Sequence, residues 1–218
     1  MRHEGPKMIR QALRHILSGI GMVLVLAMGV APMAAGTATA AIKNTIKQMF
    51  VILNDEELKA PGRAEERRQQ LEKVIGNRIA YDEMARRSLG PQWAQLNEEE
   101  RQEFVRLYAQ LLRDTYSSRF DRYSDEKVEF LQETLQGDYA EVRTRLTSSK
   151  FNLDVDYRML QRAGDWRVYD IVVDGISLVH SYREQFTKII RTYSYEELVS
   201  KLRQKTGEIK PFAEAPNP

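Results

Sequence analysis

The 218-residue chain contains no cysteine and three histidines, and its formal net charge is only +2. Without cysteine there is no disulfide scaffold, thiolate zinc site, iron–sulfur cluster, thiol nucleophile or lipid-modified N-terminal Cys. A surplus of two positive charges is too small to argue for nucleic acid unless that charge is unevenly spread. No Gly-rich phosphate loop occurs, and the basic residues lack the aromatic interleaving of a nucleic-acid platform. A calcium loop needs an Asp/Asn ladder closed by Gly and Glu, and no such ladder is present. Beyond Ala31 no apolar run approaches the ~20 residues of a membrane-spanning helix. What remains is a chain long enough to bury a core without staples.

The charge is in fact uneven. Arg2, Lys7, Arg10 and Arg14 precede an apolar run from Ile16 to Ala31, which Pro32 and small residues follow up to Ala40. A basic start, an apolar middle and alternating small residues make a secretory signal peptide, with cleavage expected after Ala40. Residues 1–40 hold four of the 33 basic residues and one of the 31 acidic ones. The mature chain is left with 29 and 30, a net of −1, and His180 is its only histidine. An exported, soluble, single-domain protein over residues 41–207 is expected, with a Pro-rich, disordered tail over 208–218.

Hydrophobic period divides that domain. Ile42, Ile46, Met49, Phe50 and Leu53 recur at helical spacing. Asn54 to Gly62 reads as a break, and Arg63 to about Ile79 as a second helix. Asp82 could cap a short third helix that Gly90-Pro91 stops. Asn97 and Glu100 form a capping box that opens the longest helix, running to about Tyr123. From Val128 the period changes to 2. Val128 and Phe130, with Gln132 as a candidate third, then Ala140, Val142, Thr144 and Leu146, then Phe151, Leu153, Val155, Tyr157 and Met159, all alternate with polar neighbours. That is an antiparallel sheet with one wet face. The last strand, Trp166 to Val173, is apolar on both faces and is expected at the sheet's centre. Ile176 to about Arg191 and a segment capped by Ser194 and Glu197 read as closing helices. The class is α+β, a four-stranded antiparallel sheet holding several helices.

No catalytic set stands out. Asp174, Ser177 and His180 supply the residue types of a hydrolase triad, but three-residue steps on one helix give neither elbow nor oxyanion hole. Asp170, mid-strand among apolar neighbours, is costly to bury unless hydrogen-bonded. A helix terminus or an arginine such as Arg183 would satisfy it; the enzymatic alternative is a dehydratase or isomerase using this acid and a tyrosine. Arg143 and Arg145 on a strand's outer face, and Lys188 with Arg191, are the candidates for partner docking. No metal site is expected.

Two stretches go further than composition. One is Tyr81-Asp82-Glu83-Met84-Ala85-Arg86-Arg87-Ser88-Leu89-Gly90-Pro91-Gln92-Trp93. The other runs Trp166-Arg167-Val168-Tyr169-Asp170, through Asp174-Gly175-Ile176-Ser177-Leu178-Val179, to Tyr182-Arg183-Glu184-Gln185-Phe186. Together they resemble the MlaC family, also called the toluene-tolerance auxiliary family of ABC transport systems, over nearly all of Ile42 to Gly207. His180-Ser181, where the family often carries Asn, is a departure. The resemblance implies a periplasmic phospholipid carrier of Gram-negative cells. It would be a cofactor-free and monomeric protein, working between an outer-membrane lipoprotein–porin complex and an inner-membrane MCE-protein/ABC transporter complex. The implied fold is an NTF2-like, MlaC-like curved sheet whose helices enclose an apolar cavity. Each CH₂ kept from water is worth ~0.8 kcal/mol, so a chain of roughly 16 carbons resists an aqueous crossing by on the order of 12 kcal/mol. A carrier must therefore enclose the tails. The candidate lining is Val142, Leu146, Leu153, Val155, Tyr157 and Trp166 from the strands, and Leu107 and Leu111 from the long helix. A surface-acting periplasmic chaperone or adaptor is a third reading.

Overall fold

The computed structural model describes residues 37–120 and 126–204. Most of the expected signal peptide and all of the expected 208–218 tail lie outside the described residues. Helix α1 spans Ala38–Leu53, opened by Thr37, whose hydroxyl accepts the Ala40 N–H at 3.0 Å. The folded domain thus starts ahead of the expected boundary at residue 41. The expected break after α1 contains a one-turn helix, α2 (Glu56–Lys59), because the Asp55 carboxylate accepts the N–H groups of Glu57 and Leu58. Helix α3 covers Ala64–Gly76 and α4 covers Tyr81–Leu89. Asp82 is not the cap of α4; it lies in its first turn and pairs with Arg162 at 2.7 Å. A 3₁₀ segment, Gly90–Gln95, follows. Helix α5, Glu98–Phe120, is opened by the expected box, Asn97 and Glu100 each accepting the other's backbone N–H.

The sheet is a meander of β1 (Lys127–Gln136), β2 (Tyr139–Thr147), β3 (Asn152–Arg162) and β4 (Asp165–Val173), all antiparallel. A two-residue fifth strand, β5 (Ile176–Ser177), follows, where four strands were expected. The order β1-β2-β3-β4-β5 also corrects the expected central place of β4. Its second edge is covered piecemeal, by β5 and by Arg78 and Ala80, whose backbones bond Val168 at 2.8 Å on either side. Two bulges interrupt the ladders, with Leu131 extra in β1 and Tyr169 extra in β4. The chain leaves the sheet through Asp174 and Gly175, both at positive φ, and enters α6 (Leu178–Thr192) and α7 (Tyr195–Gln204).

Three apolar clusters hold these parts. Helices α4 to α7 share one around Phe104, Tyr108, Tyr182 and Phe186. The Phe104–Phe186 and Tyr108–Tyr182 rings meet edge to face at 5.7 and 5.6 Å. The second lies between α1 and the sheet, with Ala38 and Ile42 on Ala140, Val142, Met159, Trp166 and Val168. The third joins the end of α1 to α2 and α3 through Ile52, Leu53, Leu58 and Leu71. Arg78 ties the second cluster's borders, donating to Thr45 on α1 at 3.0 Å and to Asp165 on β4 at 2.8 Å.

Candidate functional site

The face of the sheet turned to α1 is not evenly covered. At one end Ala140, Val142, Met159, Val168 and Trp166 are sealed beneath Ala38 and Ile42. Towards the other end the rows run Phe130–Thr144–Val155–Val173 and Val128–Leu146–Leu153 across neighbouring strands. There Val128, Phe130, Leu146, Val155 and Val173 are only half-buried. Tyr157 sits between the two regimes. Burial pushes its phenol up to about 12, against the opposing hydroxyl of Thr144, yet the side chain keeps accessible surface.

A groove of ≈ 390 Å³ opens at the surface between α1 and the edge strand β1. Ile46 and Phe50 of α1 face Val128 and Phe130 of β1 across it, and the volume is that of a small-ligand pocket. Two lysines, Lys43 and Lys47, also line it, and the Lys43 ammonium lies 4.9 Å from the centre of the Phe130 ring. The bulge at Leu131 matters here. It puts Glu133, and not Gln132, on the inner face after Phe130, where its carboxylate accepts the Thr39 N–H at 2.7 Å.

The residues expected to line a cavity divide into three groups. Val142 and Trp166 belong to the sealed end under α1. Leu146, Leu153, Val155 and Tyr157 share the rows or the face that lead from the groove, with Leu153 itself buried. Leu107 and Leu111 are half-buried against the helical cluster of α4 to α7. None of the eight lines the groove itself, whose α1 residues carry the same apolar signal as an ordinary core helix.

The opposite face is a lattice of cross-strand ion pairs. Arg145 meets Asp154 at 2.8 Å, Arg143 meets Asp156 at 3.7 Å, and Arg158 lies between Glu141 at 3.4 Å and Asp170 at 3.1 Å. Arg143 and Arg145 therefore point outward as expected, but each carries a carboxylate partner. Lys188 and Arg191 are exposed on α6.

Asp170 is the organising acid, and it is buried. Its Oδ1 accepts the Val179 N–H at 3.0 Å, and its Oδ2 accepts the Ser177 hydroxyl at 2.7 Å and Arg158 Nη1 at 3.1 Å. The expected helix terminus is its partner; the arginine is Arg158, not Arg183. The triad types do not assemble: Ser177 Oγ caps α6 at the His180 N–H, while the exposed imidazole meets Glu184 at 3.2 Å. Asp174 accepts the Asp154 N–H at 2.9 Å. Among the described residues no three His, Asp or Glu side chains converge on a common point. No described helix is long and apolar enough to cross a membrane.

Fold and groove define a class, an α+β domain that lays helices on one antiparallel meander and keeps an apolar groove open at its edge strand. The chain belongs to the MlaC family, whose model, described as MlaC protein, matches residues 43–204. The intermembrane phospholipid transport system binding protein MlaC of Haemophilus influenzae is 23% identical over 126 residues. That alignment covers 55% of this chain and 59% of the Haemophilus protein, so the match spans under two thirds of the relative's length. A phospholipid-binding protein from Ralstonia solanacearum, solved in complex with a phospholipid, has the same fold. It superposes with a TM-score of 0.69 at 23% identity, over 79% of this chain and 98% of that one.

Proposed function

We propose that this protein binds phospholipid by its acyl chains and carries it through the periplasm without bond chemistry. It would work as a cofactor-free monomer, exported by a cleaved signal peptide, between an outer-membrane lipoprotein–porin complex and an inner-membrane MCE-protein/ABC transporter complex. The observation that carries the reading is the apolar groove between α1 and β1, which continues onto half-covered rows of the sheet. The family and the printed functions of the Haemophilus and Ralstonia relatives support the same cargo. Tails placed along Val128, Leu146 and Val155 would leave the head group near Lys43 and Lys47, where a phosphate finds positive charge. The dehydratase or isomerase reading gains nothing from the geometry, since both oxygens of Asp170 hold the corner of the fold together.

Native mass spectrometry of the exported protein purified from cells tests this. Phospholipid adducts are expected, as is uptake of labelled lipid from vesicles. Protein that arrives without lipid and takes none from vesicles would overturn the reading.

A further inference from the structure

The most specific stretch of the sequence, Trp166 to Val179 and on to Arg183, contributes nothing to the apolar groove. Its residues converge on a second cleft of ≈ 520 Å³ at the corner where β4 passes through β5 into α6. The two openings share no lining residue. They also lie on opposite faces of the sheet. Tyr157 and Ile171 pack in the cluster beneath α1, so their strand neighbours Arg158 and Asp170, which pair with each other, project to the other side. A lipid held in the groove cannot put its head group into this cleft.

Three arginines, Arg87, Arg158 and Arg183, line the cleft against a single acid, Asp170. Two are partly neutralised. Arg158 serves Asp170 and Glu141, and Arg87 bonds Glu83 at 2.6 Å while its guanidinium stacks 4.2 Å from the Tyr169 ring centre. Arg183 is different. Its Nε donates to the Arg87 carbonyl at 2.7 Å, and its aliphatic stem lies across Gly90. No carboxylate lies within ion-pair distance of it among the described residues. One bond and one packing surface thus fix the guanidinium while its terminal N–H groups keep their capacity for a planar anion. The rim beside it is apolar. Ile176 is 53% exposed although pairing with Val173 holds it in place, and Tyr169 flanks the other arginines.

A fixed guanidinium beside a fixed, exposed isoleucine matches a carboxylate with an apolar neighbour. The cleft's size and apolar rim exceed what a small inorganic anion fills. We propose that the β4–α6 corner is a docking site for an acidic peptide segment of a partner protein. Arg183 takes a carboxylate of that segment in a bidentate pair, and Ile176 and Tyr169 cover an adjacent apolar side chain. The motif therefore has two duties. Asp170, Ser177 and the Asp174-Gly175 turn build the corner, and the residues around them present it.

The test uses the lipid-loaded protein and a fluorescein-labelled peptide alternating Leu and Glu, read by anisotropy, with a Leu–Lys peptide as control. The Leu–Glu peptide is expected to bind and the Leu–Lys peptide not to. Arg183→Gln should weaken binding about tenfold or more. Ile176→Asp, at an exposed position that no core packing depends on, should do the same by repulsion. Both variants should keep their co-purified phospholipid, and Ile176→Asp its thermal midpoint. Equal binding by wild type and both variants would overturn the proposal. Full displacement of the peptide by equimolar inorganic phosphate would also overturn it, as would binding of anionic vesicles in place of the peptide.

Discussion

Asp170 is buried and receives three hydrogen bonds. Asp170→Asn keeps the volume but removes the charge that Arg158 and the start of α6 bond to. The amide NH₂ must then face a donor, the Val179 N–H in one orientation or Arg158 beside the Ser177 hydroxyl in the other. The expected loss is about 2–3 kcal/mol, the scale of a charged hydrogen bond removed from a buried site. Urea denaturation should show it as a lower midpoint at unchanged slope, with lipid content unaltered. Glu83 supplies a pH dependence. Burial works to raise its carboxyl, but the hydrogen bonds from Arg86 and Arg87 outweigh burial and hold it below the ordinary glutamate value. A carboxyl depressed in the fold stabilises it above the unfolded-state value and loses that contribution as pH falls through the folded one. Stability of the wild type should thus decline below about pH 4.5 more steeply than that of Glu83→Gln. Denaturation midpoints across an acid series would check it, and parallel declines would exclude the role.

The first turn of α1 sets the smallest unit that folds well. Thr37 caps it, Ala38 has no exposed surface beneath the sheet, and the Thr39 N–H is held by Glu133. A chain begun at Ala41 loses all three and should be about 1–2 kcal/mol less stable than one begun at Gly36. Matched urea curves on the two chains decide this. Intact mass of the exported protein should accordingly place its N-terminus at or before Thr37. Elements of this kind were legible where the signal is local and periodic. The Asn97–Glu100 box announces α5, and strict alternation from Ala140 to Leu146 gives β2 its inner face. What escaped depends on a partner strand or a distant side chain. The extra residue Leu131 is unremarkable in sequence, yet it moves Glu133 to the inner face and Gln132 off it. Asp82 has the chemistry of a cap, but Arg162, eighty residues away, claims it. Strand β4 looks central because it carries apolar residues on both faces; its covering comes from the backbone of residues 78 and 80 and from β5.

For the whole molecule the question is whether the space between α1 and the sheet is a ligand's volume or merely loose core. Composition could not answer it, since Ile46, Phe50, Val128 and Phe130 are the residue types of either. Packing does give an answer, through the sign of a single substitution. Enlarging a residue in a filled core forces neighbours off their rotamers and costs about 1–3 kcal/mol. Enlarging one that borders an open groove adds buried apolar area with nothing displaced, so the lipid-free protein is unchanged or stabilised. Val128→Trp places the indole between Ile46 and Phe50 on one side and Leu146 on the other. Delipidated Val128→Trp should therefore unfold at or above the wild-type midpoint, while the protein purified from cells carries less phospholipid. A midpoint lowered by the core-overpacking cost, with lipid content intact, would make the groove ordinary core. Because this site and Arg183 lie on opposite faces and share no lining residue, the two substitutions should also act independently. Val128→Trp should leave binding of the acidic peptide at its wild-type strength, and Arg183→Gln should leave the lipid in place.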